Sequence, residues 1–319
     1  MWMEFVFAGL GLIILLLAGD VLVKGAVNLS LRLGIPAMIV SLTVVAFGTS
    51  APELLISISA ILDDVPGLAL GNVVGSNTAN ILLVLGIPAM ISGLDTRLCE
   101  TRRTYSFMIG GTILFVGFCF TGQLVWWHGL ILLAALTIVL GDAARSAHCH
   151  VKNGAAEVAT SEEEVEGADP SMRWWRIVFY LALGIIGLPL GANLLVDSSI
   201  VIARAYGVEE TVIGLTLVAI GTSLPELATT VMAALRRHTE IALGNVIGSN
   251  LFNLLGIIGI ATLVGPIPVD RSFLVFDLWV MLAASLMIVP FVFFKMVMTR
   301  WVGVGFAALY LVYIFVVLN

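Results

Sequence analysis

Long apolar segments recur along the whole chain, and they restrict its fold more than any other feature of the sequence. Of the 319 residues, 60% are hydrophobic and 11% are charged, and the mean hydropathy is +1.10. Only a bilayer tolerates so many apolar runs of 18 or more residues in one chain. The sequence therefore predicts an all-α membrane protein that crosses the bilayer many times.

Apolar stretches separated by charged residues predict ten transmembrane helices. Their predicted ranges are 4–30, 36–62, 67–92, 104–122, 124–142, 174–204, 210–235, 240–264, 272–294 and 300–318. The interval 143–173 contains the acidic stretch TSEEEVEGAD and is predicted to be a solvated cytoplasmic linker. The chain is thus predicted to divide into a first five-helix repeat, residues 1–142, and a second five-helix repeat, residues 174–319.

The basic residues predict the orientation. Most of them fall on one side of the ten-helix frame, while Arg204 and Arg271 lie near the other side. The side rich in Lys and Arg is expected to be cytoplasmic, which leaves both termini outside.

An internal repeat is the most informative feature of the sequence. The stretch AFGTSAPELLISISAILDDVPGLALGNVVGSNTANIL at 46–82 aligns without a gap on AIGTSLPELATTVMAALRRHTEIALGNVIGSNLFNLL at 219–255, with 19 of 37 positions identical by count and a constant offset of 173 residues. Each half is predicted to contain an odd number of helices, so the second copy enters the membrane from the opposite face. The two repeats are therefore predicted to be inverted.

Two glutamates occupy equivalent positions in this repeat, and both are predicted to lie deep in the bilayer. Glu53 precedes the end of the second helix, at Asp63, by ten residues, and Glu226 precedes the end of the seventh helix, at Arg236, by ten residues. Ten helical residues rise about 15 Å, half of the hydrocarbon thickness. We therefore expect both carboxylates near the midplane, approached from opposite faces.

Each glutamate also fits a simpler interpretation, the capping box. Ser50 and Glu53, like Ser223 and Glu226, form the pattern S-x-x-E with proline between them, a common helix-start signature. Because a proline has no N–H to donate, helices 2 and 7 are predicted to break there, at the midplane. Capping stabilises a helix by about 1 kcal/mol, whereas a central acidic residue costs about 2.5–3.5 kcal/mol on insertion scales. A buried cation site explains better why a carboxylate is present there despite that cost.

A polar row on each following helix supports a cation site. Asn72, Ser76 and Asn80 are spaced by four residues and share one face of the third helix, and the eighth helix repeats the row as Asn245, Ser249 and Asn253. Packing between helices is the alternative interpretation of this row. The neighbouring glycines, at 71, 75, 244 and 248, are interpreted as such small-residue contacts.

Two carboxylates with hydroxyl, amide and carbonyl oxygens predict a hard cage with a formal charge of −2. Such a cage suits Ca²⁺, fits Mg²⁺ less well, and lacks the His or Cys that Zn²⁺ or Cu²⁺ would recruit. A channel would require weaker binding. An enzyme would require a nucleophile with its base or a metal-held water, and no Ser-His or HExxH arrangement is present. The pattern therefore predicts a transporter that is not an enzyme.

The motifs G-T-S-x-P-E and G-N-x-x-G-S-N-x-x-N, each present twice, resemble the alpha repeats of the cation/calcium exchanger superfamily, in particular its prokaryotic sodium/calcium exchangers. The resemblance implies an antiporter in a prokaryotic inner membrane that exchanges Ca²⁺ for Na⁺ by alternating access, through sliding of helices 1 and 6. It implies no cofactor and no partner beyond these ions and the bilayer, with neither nucleic acid nor protein expected. The family's ion ligands fall on Thr49, Ser50, Glu53, Ser76, Asn80, Thr222, Ser223, Glu226, Ser249 and Asn253, and on the main-chain carbonyls of Ala46 and Ala219.

Two departures from relatives bear on the coupling ion. Proton-coupled relatives usually carry glutamate where this chain has Gly75 and Gly248, which favours Na⁺ over H⁺. Some close relatives carry aspartate where Asn253 stands, so a K⁺ requirement and H⁺ coupling remain alternatives, with a cation channel less favoured.

Other charged residues inside the predicted helices receive simpler interpretations. Asp20 and Lys24 are four residues apart and predict an ion pair on the first helix, with an ion-access role for Asp20 as the alternative. Asp197 is interpreted as lying near a helix end.

Overall fold

The structure is a computed structural model that describes residues 2–97, 99, 101–154, 169, 171–207 and 219–318. Within these residues seven helices are long and apolar enough to cross a membrane, or eight if one bent pair counts as a single span. These eight correspond to predicted helices 1–3, 5, 6 and 8–10. The predicted fourth helix is present but begins with two arginines, and much of the predicted seventh lies outside the described residues.

The first half begins with α1 (Trp2–Leu33), a single helix of 32 residues. The predicted second helix consists of α2 (Ala37–Val40), a π-helical turn (Ser41–Val45), α3 (Ala46–Thr49) and α4 (Ala51–Leu62). The third consists of α5 (Pro66–Ala79), a second π-helical turn (Asn80–Val84) and α6 (Gly86–Ser92). The half ends with α7 (Arg102–Cys119), β1 (Gln123–Leu124) and α8 (Trp126–Gly154).

The second half contains a similar succession of helices, but its short strand comes one helix earlier than that of the first half. It contains α9 (Trp174–Ala205), α10 (Ala219–Thr222), α11 (Leu224–Leu235), α12 (Thr239–Leu251), a π-helical turn (Phe252–Ile257) and α13 (Ile258–Val264). It continues with β2 (Ile267–Pro268), a π-helical turn (Phe273–Asp277), α14 (Leu278–Leu286), α15 (Val289–Phe293) and α16 (Arg300–Leu318). β1 and β2 pair antiparallel and join the two halves.

The predicted end of the fifth helix at residue 142 is wrong. α8 continues twelve residues beyond the predicted helix end at 142 and stops at Gly154. The loss of hydropathy after residue 142 marks the end of the apolar stretch, but a helix can project beyond the bilayer while its own backbone hydrogen bonds continue. Most of the acidic stretch TSEEEVEGAD lies outside the described residues.

The helices that carry the motifs lie at the centre of the molecule. The segments Pro66–Ser92 and Thr239–Val264 are 72% and 83% buried in their apolar windows, compared with 17% for Arg300–Val317. A buried helix is surrounded by other helices instead of lipid. The polar rows on these two segments can therefore lie inside the protein, away from lipid.

α1 and α9 pack against each other along much of their length and form an outer pair. Their backbones approach closely, since a Cβ on Gly11 would lie 2.6 Å from the Leu195 amide nitrogen and one on Gly191 would lie 2.8 Å from that of Leu15. Small residues permit such an approach between helices in lipid. Buried side chains of this pair form one apolar cluster with residues of the neighbouring helices, such as Val45 and Ala228, and a second, larger cluster involves the remaining helices.

Candidate cation-binding site

The two predicted helix breaks are present, but the predicted capping boxes are not. α3 and α4 meet at Ser50 with a bend of 41°, and α10 and α11 meet at Ser223. Each second helix has its proline in the first turn, where the missing N–H removes one backbone hydrogen bond. Neither serine side chain caps the helix that follows it. The simpler interpretation of the S-x-x-E pattern is therefore wrong.

Each break places a glutamate in the protein interior. Glu53 and Glu226 are each only 1% exposed, and they lie close enough to interact electrostatically. The Ser50 hydroxyl, instead of capping its own helix, donates a hydrogen bond to Glu226 Oε1 at 3.3 Å. The first helix break thus contacts the glutamate of the second half, which brings the two repeats together at one site.

An asparagine on the next helix holds each glutamate backbone in place. Asn72 Nδ2 donates to the Glu53 carbonyl oxygen and to Ser57 Oγ, both at 3.2 Å. Asn245 Nδ2 makes the equivalent pair of bonds, to the Glu226 carbonyl oxygen at 3.5 Å and to Thr230 Oγ1 at 3.2 Å. Sequence reasoning included both asparagines in the polar rows but missed this positioning role. Their place 19 residues after each glutamate was the available signal.

Hydroxyl groups lie between the two halves beside Glu226. The Thr49 hydroxyl lies 3.3 Å from the Ala46 carbonyl oxygen, 3.4 Å from Asn245 Oδ1 and 3.5 Å from the Ser249 hydroxyl. It has one proton, so it donates to only one of these oxygens at a time. The Ser249 hydroxyl can itself donate to Thr49, so these oxygens are neutral groups with lone pairs to spare, which a cation such as Ca²⁺ can use as ligands.

The two main-chain carbonyls of the predicted ligand set differ in their helical contacts. The Ala46 carbonyl accepts the Ser50 N–H at 3.0 Å, whereas the Ser223 N–H reaches the Ile220 carbonyl at 3.0 Å instead of that of Ala219. The N–H at the second break therefore bonds three residues back, whereas the N–H at the first break bonds four residues back. The Ala219 carbonyl does not accept the Ser223 N–H.

The second asparagine of each row lies at the start of a π-helical turn, which the sequence did not predict. Asn80 opens one turn and Asn253 is the second residue of its counterpart. Asn80 Nδ2 donates to Asn250 Oδ1 at 3.0 Å, and Asn250 Nδ2 donates to the Asn77 carbonyl at 3.3 Å. This network links the two motif helices across the boundary between the halves. π-Helical turns are frequently found at functional sites.

Several polar atoms of these residues are buried without a hydrogen-bond partner among the described residues. They are Glu53 Oε2, Asn77 Oδ1, Asn80 Oδ1, Ser223 Oγ, Glu226 Oε2 and both side-chain polar atoms of Asn253. A buried polar atom without a partner costs about 1–3 kcal/mol, so a group of them requires an explanation. Five of these seven atoms are oxygens that belong to predicted ligands.

The structure thus places the predicted side chains in the interior. Thr49, Ser50, Glu53, Ser76, Asn80, Ser223, Glu226, Ser249 and Asn253 are all buried. Thr222 is partly buried and lines a cavity beside the site. The two alanines contribute backbone positions at the starts of α3 and α10.

The second-half glycines pack as interpreted from the sequence, but the interpretation is wrong for the first half: a Cβ on Gly71 would meet only Phe273 Cζ, at 3.7 Å, and one on Gly75 would meet no described atom within 4 Å. A Cβ on Gly248 would lie 2.6 Å from both the Leu42 carbonyl oxygen and Ala46 Cβ, and one on Gly244 would lie 2.9 Å from the Met38 carbonyl oxygen. α12 therefore contacts the backbone of the helix that leads to the first break, which a larger residue would prevent.

Comparison with known proteins agrees with the predicted resemblance. The family model described as "Sodium/calcium exchanger protein" matches residues 3–141 and 176–319. The sodium/calcium exchanger MaX1 of Methanosarcina acetivorans is 33% identical, over 98% of both chains. The inner membrane protein YrbG of Escherichia coli is 33% identical, over 86% of this chain and 84% of its own.

A solved structure with a similar fold extends this agreement. The sodium-calcium exchanger NCX_Mj, crystallised and soaked without Na⁺ and Ca²⁺, has a TM-score of 0.79 and 32% identity, and the match covers 97% of each chain. The residues that the family model matches include both helix breaks, one in each half of the chain. The chain is thus an integral membrane protein that belongs to the sodium/calcium exchanger family.

Proposed function

We propose that this chain exchanges Ca²⁺ for Na⁺ at a site between Glu53 and Glu226. One observation carries the proposal: a carboxylate from each half is buried at a helix break, the first break donates a hydrogen bond to the glutamate of the second, and each carboxylate keeps an oxygen without a hydrogen-bond partner among the described residues. Two negative charges buried this deeply require compensation by cations or protons. A formal charge of −2 balances one Ca²⁺, or two Na⁺ with a further Na⁺ held by neutral oxygens.

The proposed ligands are the two carboxylates and the neutral oxygens around them. These are the side chains of Thr49, Ser50, Ser76, Asn80, Thr222, Ser223, Ser249 and Asn253, and the carbonyls of Ala46 and Ala219. Ca²⁺ takes six to eight such oxygens in a flexible arrangement. The Ala46 carbonyl accepts the Ser50 N–H and lies 3.3 Å from the Thr49 hydroxyl, so its use as a ligand requires that hydroxyl to donate to another acceptor.

We propose ten transmembrane helices arranged as two inverted repeats, with the broken helices 2 and 7 meeting at the midplane. The ungapped repeat and the matched ten-residue distances from Glu53 to Asp63 and from Glu226 to Arg236 support this frame. The distribution of basic residues supports an orientation with both termini outside and the linker in the cytoplasm of a prokaryotic cell.

Alternating access is proposed to involve movement of α1 and α9 relative to the other helices. Their close glycine-mediated contact supports movement as one unit. Na⁺ and Ca²⁺ compete for the same carboxylates, and this competition couples their fluxes.

Packing at Gly248 favours Na⁺ over H⁺ as the coupling ion. Proton-coupled relatives carry glutamate at this position, but a Cβ here would overlap Leu42 and Ala46. A glutamate at this position would require the helix leading to the first break to move away from α12. H⁺ coupling and a K⁺ requirement are the alternatives that transport measurements must separate.

Calcium uptake into proteoliposomes under separately imposed Na⁺, K⁺ and H⁺ gradients tests the proposal. We expect an outward Na⁺ gradient alone to drive uptake and its collapse with an ionophore to stop uptake. Uptake driven by a H⁺ gradient, with no effect of Na⁺, would contradict the proposal. Vesicles without protein provide the leak control.

A further inference from the structure

A cavity of about 220 Å³ lies directly beside the two helix breaks. α9 supplies one wall, and residues at both breaks supply the other, among them Pro52, Thr222 and Pro225. These three residues directly precede Glu53, Ser223 and Glu226 in the chain, so the cavity is lined by neighbours of the proposed ligands. Ser223 Oγ and Glu226 Oε2 are buried and without a partner among the described residues.

α9 presents a polar pair to this otherwise apolar cavity. Asp197 and Asn193 line it together with Ala192, Val196 and Ile200. They are four residues apart on one helix, so their side chains lie on the same face. Both are exposed, and Asp197 forms no ion pair or hydrogen bond with any described residue. The cavity thus holds a carboxylate, an amide and the Thr222 hydroxyl, all oxygen donors suited to Na⁺ or Ca²⁺.

The positions in the first half that are equivalent to Asn193 and Asp197 carry an ion pair. The offset of 173 residues matches Asn193 to Asp20 and Asp197 to Lys24. Asp20 pairs with Lys24 at 3.0 Å and also with Arg236 at the end of α11. The predicted Asp20–Lys24 pair is therefore confirmed, and a second cation neutralises the same carboxylate. On α1 this carboxylate is neutralised by two cations, whereas on α9 the carboxylate of Asp197 faces an open cavity.

We propose that Asp197, with Asn193, forms a peripheral cation subsite that collects Ca²⁺ or Na⁺ and supplies it to the Glu53–Glu226 pair. This inference rests on the proposed function. A carboxylate between apolar walls focuses its field into the cavity and raises the local cation concentration there. Loss of one unit charge near the path of a divalent ion should raise the KM for Ca²⁺ about three- to tenfold at low ionic strength.

Asp197→Asn tests the subsite because it keeps the shape of the side chain and removes its charge. Asp63→Asn is the matched control, since Asp63 is an exposed carboxylate at the end of α4 that does not line the cavity. Initial rates of Na⁺-driven Ca²⁺ uptake are measured in right-side-out vesicles over a range of Ca²⁺ concentrations. The series is repeated with choline chloride added, and Asp197→Glu is included to test rescue by a carboxylate.

We expect Asp197→Asn to raise the KM for Ca²⁺ while the maximal rate stays within about twofold of the wild type. Added salt should reduce this difference because it screens the carboxylate in the wild type. Asp197→Glu and Asp63→Asn should both resemble the wild type. The subsite would be contradicted if Asp197→Asn had the same KM as Asp63→Asn. It would also be contradicted if Asp197→Asn lost both its maximal rate and its equilibrium Ca²⁺ affinity. Absence of Na⁺-driven uptake in the wild type would instead overturn the proposed function.

Discussion

Gly248→Ala should destabilise the contact between α12 and the helix that leads to the first break. The added Cβ would lie 2.6 Å from the Leu42 carbonyl oxygen and from Ala46 Cβ. Overpacking of this kind costs about 1–3 kcal/mol, and the gain in helix propensity returns at most about 1 kcal/mol. Because the Leu42 contact is to backbone, which cannot rotate away, we expect a net loss of about 1–2 kcal/mol.

Gly110→Ala on α7 is the matched control. No atom of the described residues lies within 4 Å of a Cβ built there, so the change should stabilise the helix by up to about 1 kcal/mol. Thermal unfolding in detergent, followed by tryptophan fluorescence, should separate the two variants by roughly 4–8 °C, with Gly248→Ala the lower.

Transport should distinguish the same two variants. A shift of Ala46 displaces a proposed ligand carbonyl, so Gly248→Ala should also weaken Na⁺ binding, while Gly110→Ala should transport like the wild type. Equal melting temperatures and equal Na⁺ affinities in the two variants would refute the close contact and its link to the site.

Three further substitutions test individual parts of the site. Ser50→Ala removes the hydrogen bond to Glu226, and since bonds to charged groups contribute about 1.5–3 kcal/mol, Ca²⁺ affinity in a calorimetric titration should change by at least about tenfold. An unchanged affinity would show that this hydroxyl does not orient the carboxylate. Asn245→Leu removes both bonds that hold the Glu226 segment and should lower both the melting temperature and Ca²⁺ affinity, whereas a change in melting temperature alone would limit Asn245 to packing. Asn253→Asp adds a charge at the edge of the cage and should alter the ratio of Na⁺ to Ca²⁺ affinity without abolishing binding, and an unchanged ratio would assign Asn253 to packing.

The internal repeat allowed much of the site to be predicted from the sequence. Both glutamates and both helix breaks follow from one 37-residue alignment, because equivalent motifs in the two halves can be compared directly. Proline also identifies a break by a local rule that tertiary packing does not change. These features depend on residue type and spacing, which a sequence contains.

Other features depend on contacts between segments far apart in the chain. The Ser50 hydroxyl bonds to a glutamate 176 residues away, although the local pattern predicted a cap on its own helix. The Asn80–Asn250 bond likewise joins the two halves. Such contacts form in preference to local ones because a buried carboxylate or amide without a partner costs more free energy than an N–H at a helix start. No periodicity in the sequence indicates them.

Helix irregularities and ends were also poorly predicted. The π-helical turns that begin at Asn80 and Phe252 follow sequences with ordinary helical patterns. The extension of α8 to Gly154 has no apolar signal, because hydropathy reports the lipid environment and a helix can continue into water.

Titration of the purified protein with Ca²⁺ at increasing Na⁺ concentrations is the most direct test of one shared carboxylate site. We expect one Ca²⁺ per chain, an apparent affinity that falls steadily as Na⁺ rises, and loss of most Ca²⁺ binding in both Glu53→Gln and Glu226→Gln, which keep the side-chain shape but remove one of the two charges. Wild-type Ca²⁺ affinity in either glutamine variant, or Ca²⁺ binding that does not respond to Na⁺, would contradict the shared site.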